Sequence, residues 1–424
     1  MHHSTSDDTA RPAGHTGKFG ELFAGWRIIL IAFVGISVGI SSTYFFSLGL
    51  FMKDIAAELG LGRGVVSSAP LAVTFVTAGL APFVGRLVDR TGPITVAFVS
   101  TAGLAVALFL LATFTSGTVS FFALVLLLAF VGAGTIPLPL TKLIVSNFAL
   151  GRGMALGIAL AGTGLGAFLV TALIGPIVDT EGWRAGYRML GVGILAGLGL
   201  NLLLWFLPGN AARSASPAPS EPAPPRSSDR LLRDRAFLAL AAIFFLAAFG
   251  NLTLIIHFVP MLTDAGMTLS QASAIAGSIG LSLIAGRIVT GYLLDVVRAE
   301  YLGAALFFAV AAGMILLIVS GSDLALIAAI LAGFGIGAEV DVMAFLTGRY
   351  FPLARFGAAY GGLYGVFLVG SALGPAVAGY LFDAAGDYQL ALFGASGALI
   401  AAAALLLALP IMTRQLRSTE RAAH

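Results

Sequence analysis

Apolar runs, each about as long as a membrane-spanning helix, recur from one end of the chain to the other. A helix of about twenty apolar residues crosses the hydrocarbon core of a bilayer. The runs are continuously apolar rather than alternating, so they predict helices and not the strands of a membrane barrel. They predict twelve spanning helices, at about residues 27–51, 64–84, 93–114, 119–147, 153–178, 187–207, 236–262, 270–294, 301–320, 323–350, 357–382 and 388–411.

One polar stretch, residues 208–235, divides the chain into two apolar parts of similar length. It is rich in Pro, Ser and Arg and too poor in apolar residues to form a core, which predicts a solvated linker. The predicted organisation is an N-terminal tail (1–26), a six-helix bundle (27–207), the linker (208–235), a second six-helix bundle (236–411) and a C-terminal tail (412–424).

The composition excludes an ordinary soluble protein. Of the 424 residues, 58% are hydrophobic and 10% are charged, whereas charged residues make up about a quarter of soluble domains. The 54 glycines fit helices that pack closely within a bilayer. A net charge of +3 gives no reason to expect a nucleic-acid partner, and the lack of cysteine excludes disulfides. We expect an all-α membrane protein that acts as a monomer, without nucleic acid.

Basic residues fall almost entirely on one side of the predicted helices. After odd-numbered helices there are only Lys53, Arg63, Arg184 and Arg188. Because basic loops stay in the cytoplasm, this distribution predicts that both termini and the linker are cytoplasmic. We expect the membrane to be the inner membrane of the cell. The basic residues in the tails, in the linker or after even-numbered helices include Lys18, Arg86, Arg90, Arg152, Arg213, Arg226, Arg230, Arg233, Arg235, Arg298, Arg349, Arg355, Arg414, Arg417 and Arg421.

The two apolar parts repeat each other's features at matching places. The sequence GRLVD at 85–89 follows helix 2, and GYLLD at 291–295 follows helix 8, its counterpart. Helices 4 and 10 contain VGAG at 131–134 and FGIG at 334–337, each followed at the same spacing by a phenylalanine. Duplication of a six-helix unit is typical of transporters whose halves move about a site at the membrane midplane.

Several of these motifs resemble a known family. The pattern GxLxDRxG at 85–92 is similar to the loop signature between helices 2 and 3 of the major facilitator superfamily. The resemblance covers nearly all of residues 25–411 and implies two pseudo-symmetric six-helix bundles that transport by alternating access. Within the superfamily, the chain resembles bacterial members of the monocarboxylate-transporter group, related to oxalate/formate antiporters, at residues 25–27, 148–166, 182–184 and 337–351.

Two positions depart from the animal lactate carriers of that group. The lysine of their helix 1 aligns with Phe46, and Leu283 replaces the aspartate one turn before the helix 8 arginine. The arginine itself is kept as Arg287. The resemblance therefore implies a small monocarboxylate or related organic anion as the substrate, without indicating lactate in particular.

Two cations are candidates for binding such an anion. An ionisable group at the centre of a membrane helix costs about 2.5–3.5 kcal/mol on insertion scales, so each needs a partner or a task. Arg287 in helix 8 could hold a carboxylate through two parallel hydrogen bonds, or pair with Asp295 or an acid of helix 10. Lys142 in helix 4 could face the anion from the other half, or extend to the lipid headgroups.

Three titratable groups are candidates for carrying a proton. Glu339 and Asp341 in helix 10 are two residues apart, about 200° around the helix, so they face different surroundings. One of them could carry a symported proton, or both could be structural and neutralised by Arg287 or Lys142. His257 in helix 7 could relay protons, or form a structural hydrogen bond to a neighbouring helix.

Uncharged side chains are candidates for the walls of the binding site. Pocket walls commonly combine aromatic rings with a few polar groups. Each of these residues could equally serve in packing between helices. The candidates are Tyr44 and Phe46 in helix 1, Asn251 in helix 7, and Tyr360 and Tyr364 in helix 11.

The repeated loop motif predicts a gate. Asp89 and Arg90, with Asp295 at the matching place in the second half, are expected to form charge pairs between the halves. Such pairs would close the cytoplasmic side while the other side is open. Their breakage would let the halves move.

Other chemistry finds little support in the sequence. No phosphate-binding loop, metal-ligand cluster or nucleophile constellation is present, so we expect no enzymatic activity and no cofactor. The glycine-rich stretch at 162–166 lies in an apolar helix without a preceding strand and indicates helix packing. The predicted function is proton-coupled symport of an organic anion. An anion exchanger, a drug exporter and a non-transporting membrane receptor remain as alternatives.

Overall fold

The computed structural model describes residues 18–207 and 234–422. Most of the predicted linker and of the N-terminal tail lies outside the described residues, as does the end of the C-terminal tail. Over the described ranges the chain forms helices joined by short turns, without a strand. The predicted all-α fold is confirmed.

Eleven helical stretches among the described residues are long and apolar enough to cross a membrane. One of them is 55 residues long and contains two crossings, because Gly182 adopts a φ of 79° and turns the chain. The helices are helix 1 (Trp26–Leu59), helix 2 (Arg63–Thr91), helix 3 (Pro93–Phe114), helix 4 (Thr118–Asn147), helices 5 and 6 (together Arg152–Phe206), helix 7 (Arg235–Asp264), helix 8 (Leu269–Val296), helix 9 (Ala299–Ser320), helix 10 (Ala325–Tyr350), helix 11 (Leu353–Ala385) and helix 12 (Gln389–Ala422).

Helices 1 and 4 were predicted to be continuous, and both are interrupted. Helix 1 breaks at Gly39, which is extended with a ψ of 165°. Helix 4 contains a 3-10 turn at Ala133–Thr135, just before Pro137. The two breaks lie against each other, since the Ile40 amide donates to the Thr135 hydroxyl oxygen at 3.0 Å. The prediction was wrong because a side chain of one helix satisfies the backbone amide that the break in the other leaves free.

The junction of helices 5 and 6 is anchored by the two residues that follow Gly182. The Trp183 indole donates to the Glu58 carboxylate of helix 1 at 2.6 Å, and Arg184 donates to the same carboxylate at 2.5 Å. Arg184 also donates to the carbonyls of Ala112 and Thr115 at the end of helix 3, at 2.9 and 2.8 Å. This motif therefore joins three elements within the first half of the protein.

An even number of crossings places the two ends of the described chain on one face of the protein, here called the terminal face. The opposite face, here called the far face, carries the ends of helices 1, 7 and 11 and the starts of helices 2, 8 and 12. Helices of the two halves meet in three pairs: helix 1 with helix 7, helix 2 with helix 11, and helix 5 with helix 8.

The described contacts between the halves run from the middle of the molecule to the far face. In the middle, Gly164 of helix 5 meets Gly280 of helix 8, and a Cβ on either would lie 2.5 Å from the other's carbonyl oxygen. Nearer the far face, Gly64 of helix 2 packs against Tyr380 of helix 11. Arg287 follows Gly280 by seven residues, about 10 Å along the helix, and so lies on the terminal side of the contact between helices 5 and 8.

A short N-terminal helix, Lys18–Ala24, is tied to the loop between helices 4 and 5. The Glu21 carboxylate accepts backbone N–H bonds from Ala149 at 2.7 Å and from Gly151 at 2.6 Å. These donors hold the pKa of Glu21 below its ordinary value. The carboxylate thus satisfies amides just before helix 5, where backbone donors lack partners within the helix.

We expect acidification to release this contact. A carboxyl group whose pKa is lowered on folding stabilises the fold above its unfolded pKa, about 4.3, and loses that stabilisation as the pH falls through the folded value. Protection of the Ala149 and Gly151 amides from hydrogen exchange, corrected for intrinsic rates, should be high at pH 7 and should fall once the pH drops below the lowered pKa of Glu21. In Glu21→Gln it should be low at pH 7 and below. Protection unaffected by the substitution would contradict this assignment.

Candidate functional site

A cation from helix 8 and a carboxylate from helix 10 lie together inside the second half. Arg287 Nη1 donates to Asp341 Oδ1 at 3.3 Å, and the two side chains are 12% and 30% exposed. The helices approach closely because Gly333 and Gly337 of helix 10 lie against backbone carbonyls of helix 8. The glycine run that precedes the acids in the sequence therefore sets the distance between the charges.

The guanidinium group of Arg287 is only partly engaged. It has five N–H donors in a fixed fork, and its bond to Asp341 is single and long. Its Nε atom is buried without a hydrogen-bond partner among the described residues. A buried donor that lacks a partner costs about 1–3 kcal/mol. The group therefore retains donors for a second acceptor.

An aromatic ladder on helix 11 borders this pair. The rings of Phe356, Tyr360, Tyr364 and Phe367 stack in sequence, with centroids 5.8, 6.1 and 5.4 Å apart. Tyr360 lies within electrostatic reach of both Arg287 and Asp341, and Tyr364 within reach of Arg287. The spacing of three and four residues places the four rings on one face of the helix. Charged and aromatic groups thus meet between helices 8, 10 and 11.

The second acid of helix 10 faces helix 7. Glu339 Oε2 accepts a hydrogen bond from Asn251 Nδ2 at 2.9 Å, and both residues are buried. The other oxygen of each group, Glu339 Oε1 and Asn251 Oδ1, is buried without a hydrogen-bond partner among the described residues. The opposite directions of Glu339 and Asp341 follow from their separation of two residues on a helix. The structure therefore gives the two acids different partners.

His257 is buried, and both ring nitrogens are hydrogen-bonded. Nε2 lies 2.9 Å from the Pro375 carbonyl of helix 11, which can only accept, so Nε2 carries a proton. Nδ1 lies 3.1 Å from the Tyr388 hydroxyl. Burial raises the pKa of Tyr388 to about 12, so this hydroxyl keeps its proton and can donate to Nδ1. The histidine joins helix 7 to helices 11 and 12.

Three other predicted binding residues, Lys142, Tyr44 and Phe46, have contacts of their own. Lys142 forms an ion pair with Asp89 of its own half. Tyr44 is 1% exposed, and its hydroxyl lacks a hydrogen-bond partner in the described part of the chain. Phe46 is half-buried and packs against the large apolar core. Binding of the substrate by these three residues stays a prediction.

The predicted gating residues form no described charge pair between the halves. Asp89 is paired with Lys142 within the first half, and Arg90 is exposed at the end of helix 2. Asp295 lies in the last turn of helix 8, and its side chain is outside the described part of the structure. A pair between the halves at this face remains a prediction for the state in which the terminal face is closed.

A charged cluster at the far face was not predicted. Arg63, at the start of helix 2, donates to both oxygens of Asp264, at 2.5 and 2.9 Å, and to the Tyr388 hydroxyl at 2.9 Å. Lys53 of helix 1 lies 2.9 Å from the same carboxylate. The backbone amides of Arg63 and Gly64 donate to the carboxylate of Asp383, both at 2.8 Å. The scarcity of basic residues after odd-numbered helices was the available signal, because the few present there lie among acids on that face.

No metal centre is evident in residues 18–207 and 234–422. Among these residues there is no group of three His, Asp or Glu side chains placed to hold a metal ion.

Comparison with known families decides the kind of protein. Residues 31–338, well over half of the chain, match the family described as Major Facilitator Superfamily. The chain belongs to the Major Facilitator Superfamily. It is therefore a multi-pass membrane transporter, and the predicted two-bundle fold is the fold of this superfamily.

Within the superfamily, the chain is related to monocarboxylate transporters. "Monocarboxylate transporter 13" of Bos taurus is 26% identical to it over 91% of this chain and 89% of that protein. "Monocarboxylate transporter 11" of Homo sapiens is also 26% identical, over 89% of this chain and 80% of that protein. The predicted resemblance to the monocarboxylate-transporter group is confirmed, and it extends over most of each protein.

Two further likenesses are more limited. The "Riboflavin transporter RibJ" of Trypanosoma cruzi (strain CL Brener) is 28% identical over 51% of this chain and 43% of that protein. The crystal structure of a mutant of the nucleoside transporter NupG superposes with a TM-score of 0.71, covering 91% of this chain and 99% of that chain. At 16% sequence identity, the second likeness shows the fold alone.

The pair of Glu339 and Asn251 allows a direct test of the geometry. Glu339→Gln keeps the shape and a hydrogen bond while removing an ionisable group, so apparent thermal stability should be unchanged or raised. Asn251→Leu leaves the carboxyl group without its described partner and should cost about 1–3 kcal/mol. Thermal unfolding of the purified variants in detergent measures both effects. Equal destabilisation by the two substitutions would contradict this pairing.

Proposed function

We propose that this transporter carries a small monocarboxylate, or a related organic anion, together with a proton. The observation that carries the proposal is the incompletely paired guanidinium of Arg287, which has a single long bond to Asp341 and a buried donor without a partner in the described part of the chain. The relation to monocarboxylate transporters supports the same substrate class.

The anion binds to Arg287 in this proposal. A carboxylate matches the planar fork of a guanidinium through two parallel hydrogen bonds, which a lysine cannot form. The apolar part of the substrate contacts the ladder of Tyr360 and Tyr364, as aromatic walls commonly do. Desolvation of both groups strengthens the interaction because the local dielectric is low.

The proton is carried by Asp341, which shares Arg287 with the substrate. When an anion takes donors from the guanidinium, the aspartate loses part of its charge compensation and the free energy of its charged form rises. Uptake of a proton then removes the repulsion between two neighbouring carboxylates. Glu339 is a weaker choice because its described partner is the neutral Asn251, and His257 because both of its ring nitrogens are already bonded.

The transport cycle moves the two halves about this site. The described contacts close the far face beyond Arg287, so the substrate enters or leaves this conformation through the terminal face. The basic residues predict that the terminal face is cytoplasmic. Opening of the far face and closure of the terminal face complete alternating access.

Substitution of Arg287 tests the anion site. Arg287→Lys keeps the charge but loses the planar fork, so the apparent affinity for the anion should fall about tenfold or more. Arg287→Ala should abolish uptake. Uptake of radiolabelled organic acids into proteoliposomes measures both effects. Thermal unfolding verifies that each variant is folded. Normal uptake by folded Arg287→Ala would remove this residue from the mechanism.

Substitution of Asp341 tests the proton. Asp341→Asn mimics the protonated carboxyl group and leaves Arg287 free for the anion, so exchange of internal for external substrate should persist. Accumulation driven by a pH gradient should be lost. Glu339→Gln is the matched control on the same helix and should keep both activities. If only the Glu339→Gln control lost accumulation, the proton carrier would be Glu339 rather than Asp341.

Wild-type transport under a collapsed pH gradient separates symport from exchange. Symport predicts that accumulation disappears. Uptake that does not depend on the pH gradient but requires internal anion would establish an exchanger. This result would overturn the proposal that a proton is carried with the anion.

A further inference from the structure

At the far face, one side chain of the first half contacts helix 7, helix 11 and the turn before helix 12 in the second half. We propose that Arg63 is the latch that keeps the far face closed, and that opening this face requires its release from Asp264, Tyr388 and the Phe382 ring. The inference rests on the alternating-access fold and is independent of the identity of the substrate.

The contacts of Arg63 all reach across the boundary between the halves. Asp264 ends helix 7, Phe382 lies near the end of helix 11, and Tyr388 directly precedes helix 12. The guanidinium donates to both Asp264 oxygens and to the Tyr388 hydroxyl, and its carbon lies 3.8 Å from the centroid of the Phe382 ring. Because all of these partners belong to the other half, separation of the halves at this face breaks the bonds together.

The latch is strong enough to bias the conformational equilibrium. The Arg63 side chain is 14% exposed, so solvent screens its pairing less than that of a surface ion pair. Bidentate geometry and an aromatic partner add to the attraction. Asp383 reinforces it, because its carboxylate accepts the backbone amides of Arg63 and Gly64 at the start of helix 2.

A hydrogen-bonded chain connects the latch to the middle of helix 11. The Tyr388 hydroxyl accepts from Arg63 and can donate to His257, which donates to the Pro375 carbonyl. Helix 11 also carries Tyr360 and Tyr364, which border Arg287. This chain gives the buried His257 a role in positioning helix 11 against the latch.

Arg184 provides a matched control. It is also at the far face, also binds a carboxylate and also lies over an aromatic ring, that of Trp183, at 4.3 Å. Its carboxylate partner, Glu58, belongs to its own half. Loss of Arg184 therefore removes comparable interactions without unlatching the halves.

Cysteine labelling can measure the opening directly, because the native chain has no cysteine. Ser67 is fully buried in helix 2, where its hydroxyl lies against Gly379 of helix 11, so Ser67→Cys reports separation of the halves. Ser396→Cys, in a position 3% exposed on helix 12, reports unfolding instead. Each reporter is reacted in membranes with a membrane-impermeant maleimide, in the absence of substrate.

Adding Arg63→Gln to the Ser67→Cys reporter should raise its labelling rate at least about tenfold, the effect of losing a hydrogen bond between charged groups. Arg63→Lys should give an intermediate rate, and Arg184→Gln the parent rate. The Ser396→Cys reporter should stay unreactive in all backgrounds. A parent rate in Arg63→Gln, or an equal rise in Arg184→Gln, would overturn the latch. Since no substrate is present, this outcome is separate from any failure of the anion proposal.

Discussion

A charged group inside a membrane protein must find a partner, and this requirement organises the structure. Moving an unpaired charge out of water costs far more than a typical net hydrogen bond contributes. With charged residues making up only 10% of the chain, partners are few. Arg287 meets Asp341 across two helices, and Arg63 meets Asp264 across the two halves. The first pair is incomplete, whereas the second is bidentate and further reinforced.

The difference between the two pairs assigns them different tasks. A bidentate ion pair between the two halves is suited to hold them in one arrangement, the role that we propose for Arg63 at the far face. A partly satisfied guanidinium, next to an aromatic ladder, can accept another carboxylate without first losing its existing partner. Both arrangements depend on glycine, which lets helix 10 approach helix 8 and helix 2 approach helix 11.

Much of this arrangement could be predicted from the sequence. Length and hydropathy predict the twelve helices, and the spacing of Glu339 and Asp341 predicts that they face different partners. The breaks in helices 1 and 4 could not be predicted, because they depend on the contact of Ile40 with Thr135, two residues far apart in the chain. The far-face cluster was missed for the same reason, since Arg63 binds residues about two hundred or more positions away. The local pattern of apolar residues predicts where helices form, but it does not predict which residues at the helix ends contact each other.

The central claim is that Arg287 has donors to spare for a carboxylate, and ligand-induced stabilisation tests it most directly. A ligand that binds only the folded protein raises its apparent unfolding temperature. Purified protein should be heated with small monocarboxylates and, in parallel, with their uncharged amide analogues of the same shape. The account predicts that at least one carboxylate raises the unfolding temperature, that its amide does not, and that the effect disappears in Arg287→Ala. Equal stabilisation by acid and amide, or stabilisation by the acid that persists without Arg287, would contradict it.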